Sequence, residues 1–253
     1  MDLLTGIIAG ILQGIFEWLP ISSQGNIMAA LFLFFKSNPQ EALQIAVMLH
    51  IGTLLAAIIY FRKEIIEMLK LKDKALSKFI LVATVATAIT AIPSYLVLES
   101  FLGTGVAIVL LVIAFLLIAT GIIQLKRKHI GDGKLSMLNA VLTGLGQGFS
   151  VLPGVSRSGT TTSVLLFRGF SPEKAFRISF IMSIPAVFLA EVGFGVIKGF
   201  LINQTAIIAM IIAFVVGLIS MDFFIKAAKK INFSVFCFVI ATIYIIAFIF
   251  LVL

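Results

Sequence analysis

The stretch QGIFEWLPISSQGN (13–26) places Glu17 four residues after Gln13, followed by a proline, two serines and a glycine. On a helix, an i,i+4 pair projects from one face. The Glu17 carboxylate and the Gln13 amide oxygen could therefore hold one hard cation such as Mg2+ or Ca2+. A carboxylate inside an apolar segment is costly and marks function. Ser22 and Ser23 precede a second short helix expected over 26–35. Their hydroxyls can cap that helix, or stand where its dipole and free N–H groups favour an anion. Serine acts as a nucleophile only beside a base or a metal.

A second stretch, QGFSVLPGVSRSGT (147–160), has the same broken, polar character. Ser156, Ser158, Thr160 and Thr161 offer hydroxyls, and Gly154 and Gly159 are expected to let backbone N–H groups approach a ligand. Arg157 adds a planar, permanently charged fork suited to phosphate oxygens. Glycines, hydroxyls, one arginine and a helix start form a phosphate cradle. The plainer reading is a Glu17–Arg157 ion pair that ties the two elbows together, and both roles can coexist. A metal and an arginine neutralising phosphate oxygens is the recipe for phosphoryl transfer. At membrane depth this implies a phosphatase, or a carrier, for a lipid phosphate or diphosphate. Other polar residues within apolar segments carry weaker signals. His50 is a candidate proton acceptor, although a lone histidine in a helix more often bonds a nearby hydroxyl or carbonyl; Glu191 could pair with it or bind a proton, and Asp222 is expected to pair with Lys226 one turn later.

The elements that must position these residues are membrane helices. Of 253 residues, 61% are hydrophobic and 12% charged, against about 45–50% and about 25% in soluble domains. The mean hydropathy is +1.20. The net charge of +8 fits basic cytoplasmic loops rather than nucleic acid, since no basic face interleaved with aromatics occurs. The lone Cys237 excludes a disulfide framework. The N-terminal MDLLTGIIAGIL lacks the basic start of a removable signal peptide.

Six segments are long enough to span, about 20 residues each: 42–61, 76–98, 105–125, 175–197, 206–225 and 233–253. Segments 3–35 and 135–167 instead read as two half-helices around a break, which suits a re-entrant hairpin lining a protein cavity. Three basic loops (Arg62 to Lys78, Lys126 to Lys134, Lys226 to Lys230) assigned to the cytoplasm give both termini an outward orientation. Gly10, Gln13, Gly14, Ser22 and Gly25 recur at one constant offset as Gly144, Gln147, Gly148, Ser156 and Gly159. The expected architecture is an all-α polytopic membrane domain over 1–253. It has six transmembrane helices and two re-entrant hairpins in inverted repeats, 1–125 and 135–253. Inverted repeats with broken helices place their site where the breaks meet.

The same residues resemble the undecaprenyl-diphosphate phosphatases, the bacitracin-resistance protein family. The family's first motif is Glu or Gln, three residues, then Glu; here it reads QGIFE followed by LPISSQG. Its second, PG-x-SRS-x-x-T, reads PGVSRSGTT (153–161), and FIMSIPA (180–186) also matches. The resemblance covers nearly the whole chain. It implies hydrolysis of the terminal phosphate of a polyprenyl diphosphate, regenerating the lipid carrier for cell-wall synthesis. It further implies a divalent cation and a site at the outer face of the inner membrane; a homodimer is an option. By motif, Glu17 is the metal or catalytic carboxylate and Gln13 its partner. Ser23 is the candidate nucleophile supported by Ser22, and Arg157 grips the diphosphate with Ser156, Ser158, Gly159 and Thr161. Many members have Glu at the position of Gln13 and His at that of Asn26, here placed among the substrate contacts. Asn cannot act as a base, which leaves Glu17 with the metal, a metal-bound hydroxide, or His50. Inverted repeats also keep open a polyprenyl-phosphate flippase that does not hydrolyse its lipid.

Overall fold

The computed structural model describes residues 2–125, 133–199, 202–227 and 232–253. Among them every element is helical. Six helices are long and apolar enough to cross a membrane: α3 (Pro39–Tyr60), α5 (Lys74–Leu102), α6 (Val106–Leu125), α9 (Pro172–Lys198), α10 (Gln204–Ala227) and α11 (Phe233–Val252). They match the six expected spans, with ends shifted by a few residues where caps decide. Asn38 and Ser171 accept from the backbone N–H groups of Glu41 and Lys174, and Pro39 and Pro172 open the first turn. Pro93 and Pro185 each remove one ladder hydrogen bond inside α5 and α9.

The two broken segments are helix pairs. α1 (Leu3–Phe16) and α2 (Ser23–Phe35) pack against each other, as do α7 (Met137–Gly148) and α8 (Arg157–Phe167). Pro20 and Pro153 disfavour helix just before them. α2 begins at Ser23 rather than 26 because Ser22, at φ 63°, acts as its cap. A further helix, α4 (Arg62–Leu69), lies within the first basic loop. Charge alone read this stretch as loop; Ile65 and Met68 pack it onto the core. In the other basic loops, Lys126, Arg127, Lys128, Lys229 and Lys230 lie outside the described residues.

The half-helices pack crosswise. α1 lies on α10 and α7 lies on α5. Glycines set both contacts: a Cβ on Gly10 would sit 2.6 Å from the Ala209 carbonyl oxygen, and one on Gly144 would sit 2.2 Å from that of Ala83. Small residues allow such backbone approach between membrane helices. Gly144→Ala is expected to lower the melting temperature in detergent by several degrees, because backbone on both sides must move. Gly103→Ala, with nothing within 4 Å, should leave it unchanged; equal effects would show that the α5–α7 seam is slack.

Candidate functional site

The two elbows meet. Glu17, the C-cap of α1, receives hydrogen bonds on both carboxylate oxygens. Arg157 Nη2 donates to Oε1. Ser23 Oγ donates to Oε2 at 2.8 Å, and Gln13 Nε2 to the same oxygen at 2.9 Å. Ser23 and Arg157 are the first residues of α2 and α8, so the starts of both second half-helices converge on one carboxylate. His50 Nε2 lies 3.4 Å from Glu17 Oε2. Its Nδ1 is 2.7 Å from the Ala46 carbonyl oxygen, which can only accept, so Nδ1 carries a proton. This bond to a nearby carbonyl is the one expected of a lone helix histidine; the alternative pairing with Glu191 does not form, and the imidazole faces Glu17.

The expected Glu17–Arg157 ion pair is present, and it leaves something over. Arg157 Nη1 is buried with no acceptor. A buried charged donor without a partner is a rare and costly group. The Arg157 side chain borders a cavity of about 550 Å3 whose polar end is also lined by Glu17, Ser22, Ser23, His50 and Ser158. The remaining wall is mostly apolar and runs along α5 from Thr84 to Leu98 and along α9 from Ala186 to Ile197. This volume suits a small-molecule group.

Other predicted residues fall behind the cavity. Asn26 donates to the carbonyls of Ile21 and Ser22 at 2.7 and 2.8 Å and accepts from the Tyr244 hydroxyl at 2.6 Å. It braces the elbow. Thr161 Oγ1 is bonded to the Arg157 carbonyl and to Ser179 Oγ, and does not line the cavity. Ser22 accepts from the Gly154 N–H at 2.9 Å, which ties elbow to elbow. The expectation that Gly154 and Gly159 offer N–H groups to a ligand is overturned. Gly154 gives its N–H to Ser22, and Gly159 gives its own to Ser156. What these positions supply is closeness. A Cβ on Gly25 would meet Gly154 N at 2.7 Å, and one on Gly159 would meet the Pro20 carbonyl oxygen at 3.1 Å. Ser156 remains at the cavity wall as the α8 cap.

Several supporting residues gave no sequence signal of their own. Thr53 accepts from Gln13 Nε2 at 3.1 Å, and Thr87 accepts from Gln147 Nε2 at 3.0 Å. Gln124 donates to the Pro20 carbonyl at 2.6 Å. Trp18 donates to the Gly217 carbonyl at 2.9 Å and stacks edge-on against Phe180, with ring centroids 5.3 Å apart. Phe180 opens the FIMSIPA stretch, so this motif holds the first elbow from outside. The apparently local ion pair of Lys226 with Asp222 is present at 2.5 Å, exposed and away from the site.

The donor set fits a hard cation in one form. Gln13 Oε1 is buried and unpartnered, while Gln13 Nε2 faces Glu17. Turning the amide over would set two oxygens against each other, a repulsion that a cation between them removes. Among the described residues no three His, Cys, Asp or Glu side chains gather into a metal cage. Mg2+ commonly needs only one or two carboxylates, with water and substrate phosphates completing its shell.

The family described as bacitracin resistance protein BacA matches residues 6–246. A relative from Methanococcoides burtonii named undecaprenyl-diphosphatase is 39% identical, covering 94% of this chain and 95% of its own length. A relative of the same name from Methanothrix thermoacetophila is 39% identical, covering 94% and 93%. One from Haloarcula marismortui is 36% identical, covering 93% of each.

Proposed function

Because this chain belongs to the bacitracin resistance protein BacA family, we propose that it is a membrane phosphatase hydrolysing undecaprenyl or another polyprenyl diphosphate to the monophosphate. The observation that carries this reading is the buried, unpartnered Nη1 of Arg157 beside a serine–carboxylate pair, in a cavity whose other walls are apolar. The headgroup occupies the polar end and the first part of the tail lies between α5 and α9. Release of the monophosphate recycles a lipid carrier for envelope synthesis.

The roles follow from the atoms. Arg157 holds Glu17 with Nη2 and offers Nη1 to a phosphate oxygen. The N-termini of α2 and α8 add positive potential at the same end of the cavity. Ser23 Oγ attacks the terminal phosphorus, its proton passing to Glu17 Oε2, which already accepts it at 2.8 Å. The anhydride P–O bond breaks and the lipid monophosphate leaves; water then releases phosphate from the serine. Gln13 orients Glu17 through its Nε2 when no cation is held, and Asn26 fixes the Ile21–Ser22 backbone from which Ser23 projects. A divalent cation held by Glu17, with the Gln13 amide turned, supplies further charge neutralisation at the phosphates.

The inverted repeat and the re-entrant path of both hairpins are part of this proposal. They draw support from the crosswise packing of α1 on α10 and α7 on α5, and from the reciprocal approach of Gly25 to Gly154 and of Gly159 to Pro20. The site is proposed to open to the outer face of the plasma membrane. In support, the cavity follows the later halves of α5 and α9, while Lys74, Lys78, Lys174 and Arg177 stand at their starts. Every side chain named comes from one chain, so a second copy is not required to complete the site. The flippase alternative draws no support from the relatives, which are named undecaprenyl-diphosphatase.

The direct test is phosphate release from undecaprenyl diphosphate in detergent micelles, with Mg2+, with Ca2+ and with chelator. Cation-dependent release is expected. Tight lipid binding without release under any cation would sink the hydrolase reading.

A further inference from the structure

One carboxyl group in the cavity is unaccounted for. Glu191 lies in the later half of α9, 7% exposed, and lines the same cavity as Glu17 and Arg157. Among the described residues its carboxylate has no hydrogen-bond donor and no ion-pair partner. The charged group it does feel is Glu17, of like sign. The positive groups nearby are already committed. Arg157 and His50 face Glu17, and Lys198 pairs with Glu99 at 2.9 Å. An acidic side chain held at membrane depth without a donor or counter-charge is rare and marks function. A diphosphate entering the cavity adds more negative charge. What this arrangement lacks is a cation, and the two carboxyl groups that line the cavity, Glu17 and Glu191, offer oxygens.

We propose that Glu191 is a ligand of the divalent cation, supplying from α9 the second carboxylate that α1 does not carry. The inference rests on the cation assigned above but concerns a residue outside the two elbow motifs. It also gives Gln13 a reason. With a neutral amide four residues before Glu17, the half-helix presents one negative charge, and the second comes from another helix. Two carboxylates with phosphate and water oxygens make an ordinary Mg2+ shell.

The test measures binding of the metal alone. Mg2+ and Ca2+ are titrated calorimetrically into chelator-stripped protein in detergent, without lipid. The proteins compared are the unaltered chain, Glu191→Gln, and Glu67→Gln on the exposed face of α4 as control. The expected result is at least a tenfold weaker Kd for Glu191→Gln and no change for Glu67→Gln. Melting curves provide a second readout. In chelator, Glu191→Gln should melt at or above the unaltered chain, because an unpartnered buried carboxyl group is gone. It should also lose most of the rise in melting temperature that the cation gives. Equal cation affinity in Glu191→Gln and the unaltered chain overturns the proposal. Cation binding through Glu191 in a protein that releases no phosphate would sustain it while sinking the phosphatase reading. Phosphate release in chelator, with no cation bound at millimolar concentration, would do the reverse.

Discussion

Arg157→Ala is expected to abolish phosphate release, by a factor on the order of 10^3–10^5, the range for removing an arginine that neutralises transferring phosphoryl oxygens. The guanidinium has two separate uses in this reading: Nη2 holds Glu17, and Nη1, buried without an acceptor, serves a phosphate oxygen. The alanine variant loses both. It also leaves Glu17 as a buried charge without its main partner, which costs about 3–5 kcal/mol of stability. Activity must therefore be read per folded molecule, with melting temperature measured alongside. Arg157→Lys separates the uses. An ammonium is a point charge without the planar fork, so it can stay with Glu17 or reach the phosphate but not span both. Near-normal melting with kcat/KM lowered on the order of 10^2 is expected, each lost oxyanion donor contributing about 10^2–10^3. Replacing Glu17 and Arg157 together by a matched apolar pair should fold acceptably, since such swaps are often neutral, yet release no phosphate. Substantial turnover in that double variant would reduce the ion pair to a brace between elbows.

Ser23→Ala is expected to lower turnover by on the order of 10^3 or more while changing stability by only about 1 kcal/mol. The first magnitude follows from removing a nucleophile whose proton acceptor stays in place. The second follows from losing one hydrogen bond to a carboxylate that keeps Arg157 and Gln13. Its neighbour should behave in the opposite way. Ser22 Oγ accepts from the Gly154 and Gly25 N–H groups, so Ser22→Ala leaves buried donors unpartnered and should cost about 1–3 kcal/mol. Its activity per folded molecule should fall much less than that of Ser23→Ala. Thermal melts and single-turnover phosphate release on both variants decide this. If Ser23→Ala keeps more than a tenth of the rate, water is the nucleophile and Ser23 only orients it.

Composition and periodicity were enough to establish a membrane protein with six spanning helices. Runs of about 20 apolar residues have one stable form in lipid, the helix that satisfies its own backbone. The breaks at Pro20 and Pro153 were equally plain, because proline acts locally. Glu17 and Arg157 could be picked out as a site because charge in an apolar segment needs a reason that a neighbouring residue cannot provide. The position of α4 could not be read this way: a charged stretch becomes helix when Ile65 and Met68 find the core.

What each polar atom does was decided by the tertiary structure. Gly159 and Gly154 carry the spacing of a phosphate cradle, yet their N–H groups are used inside the elbows and their missing side chains admit the opposite elbow. Asn26 sits in the motif but is claimed by Tyr244, a residue 218 positions away. His50 and Glu191 both appeared as lone polar residues in spanning helices; packing turned one toward Glu17 and left the other alone at the cavity wall. The physical reason is the same in each case. Sequence spacing fixes which residues share a helix face, whereas donors and acceptors are paired between helices that meet only after the chain has folded.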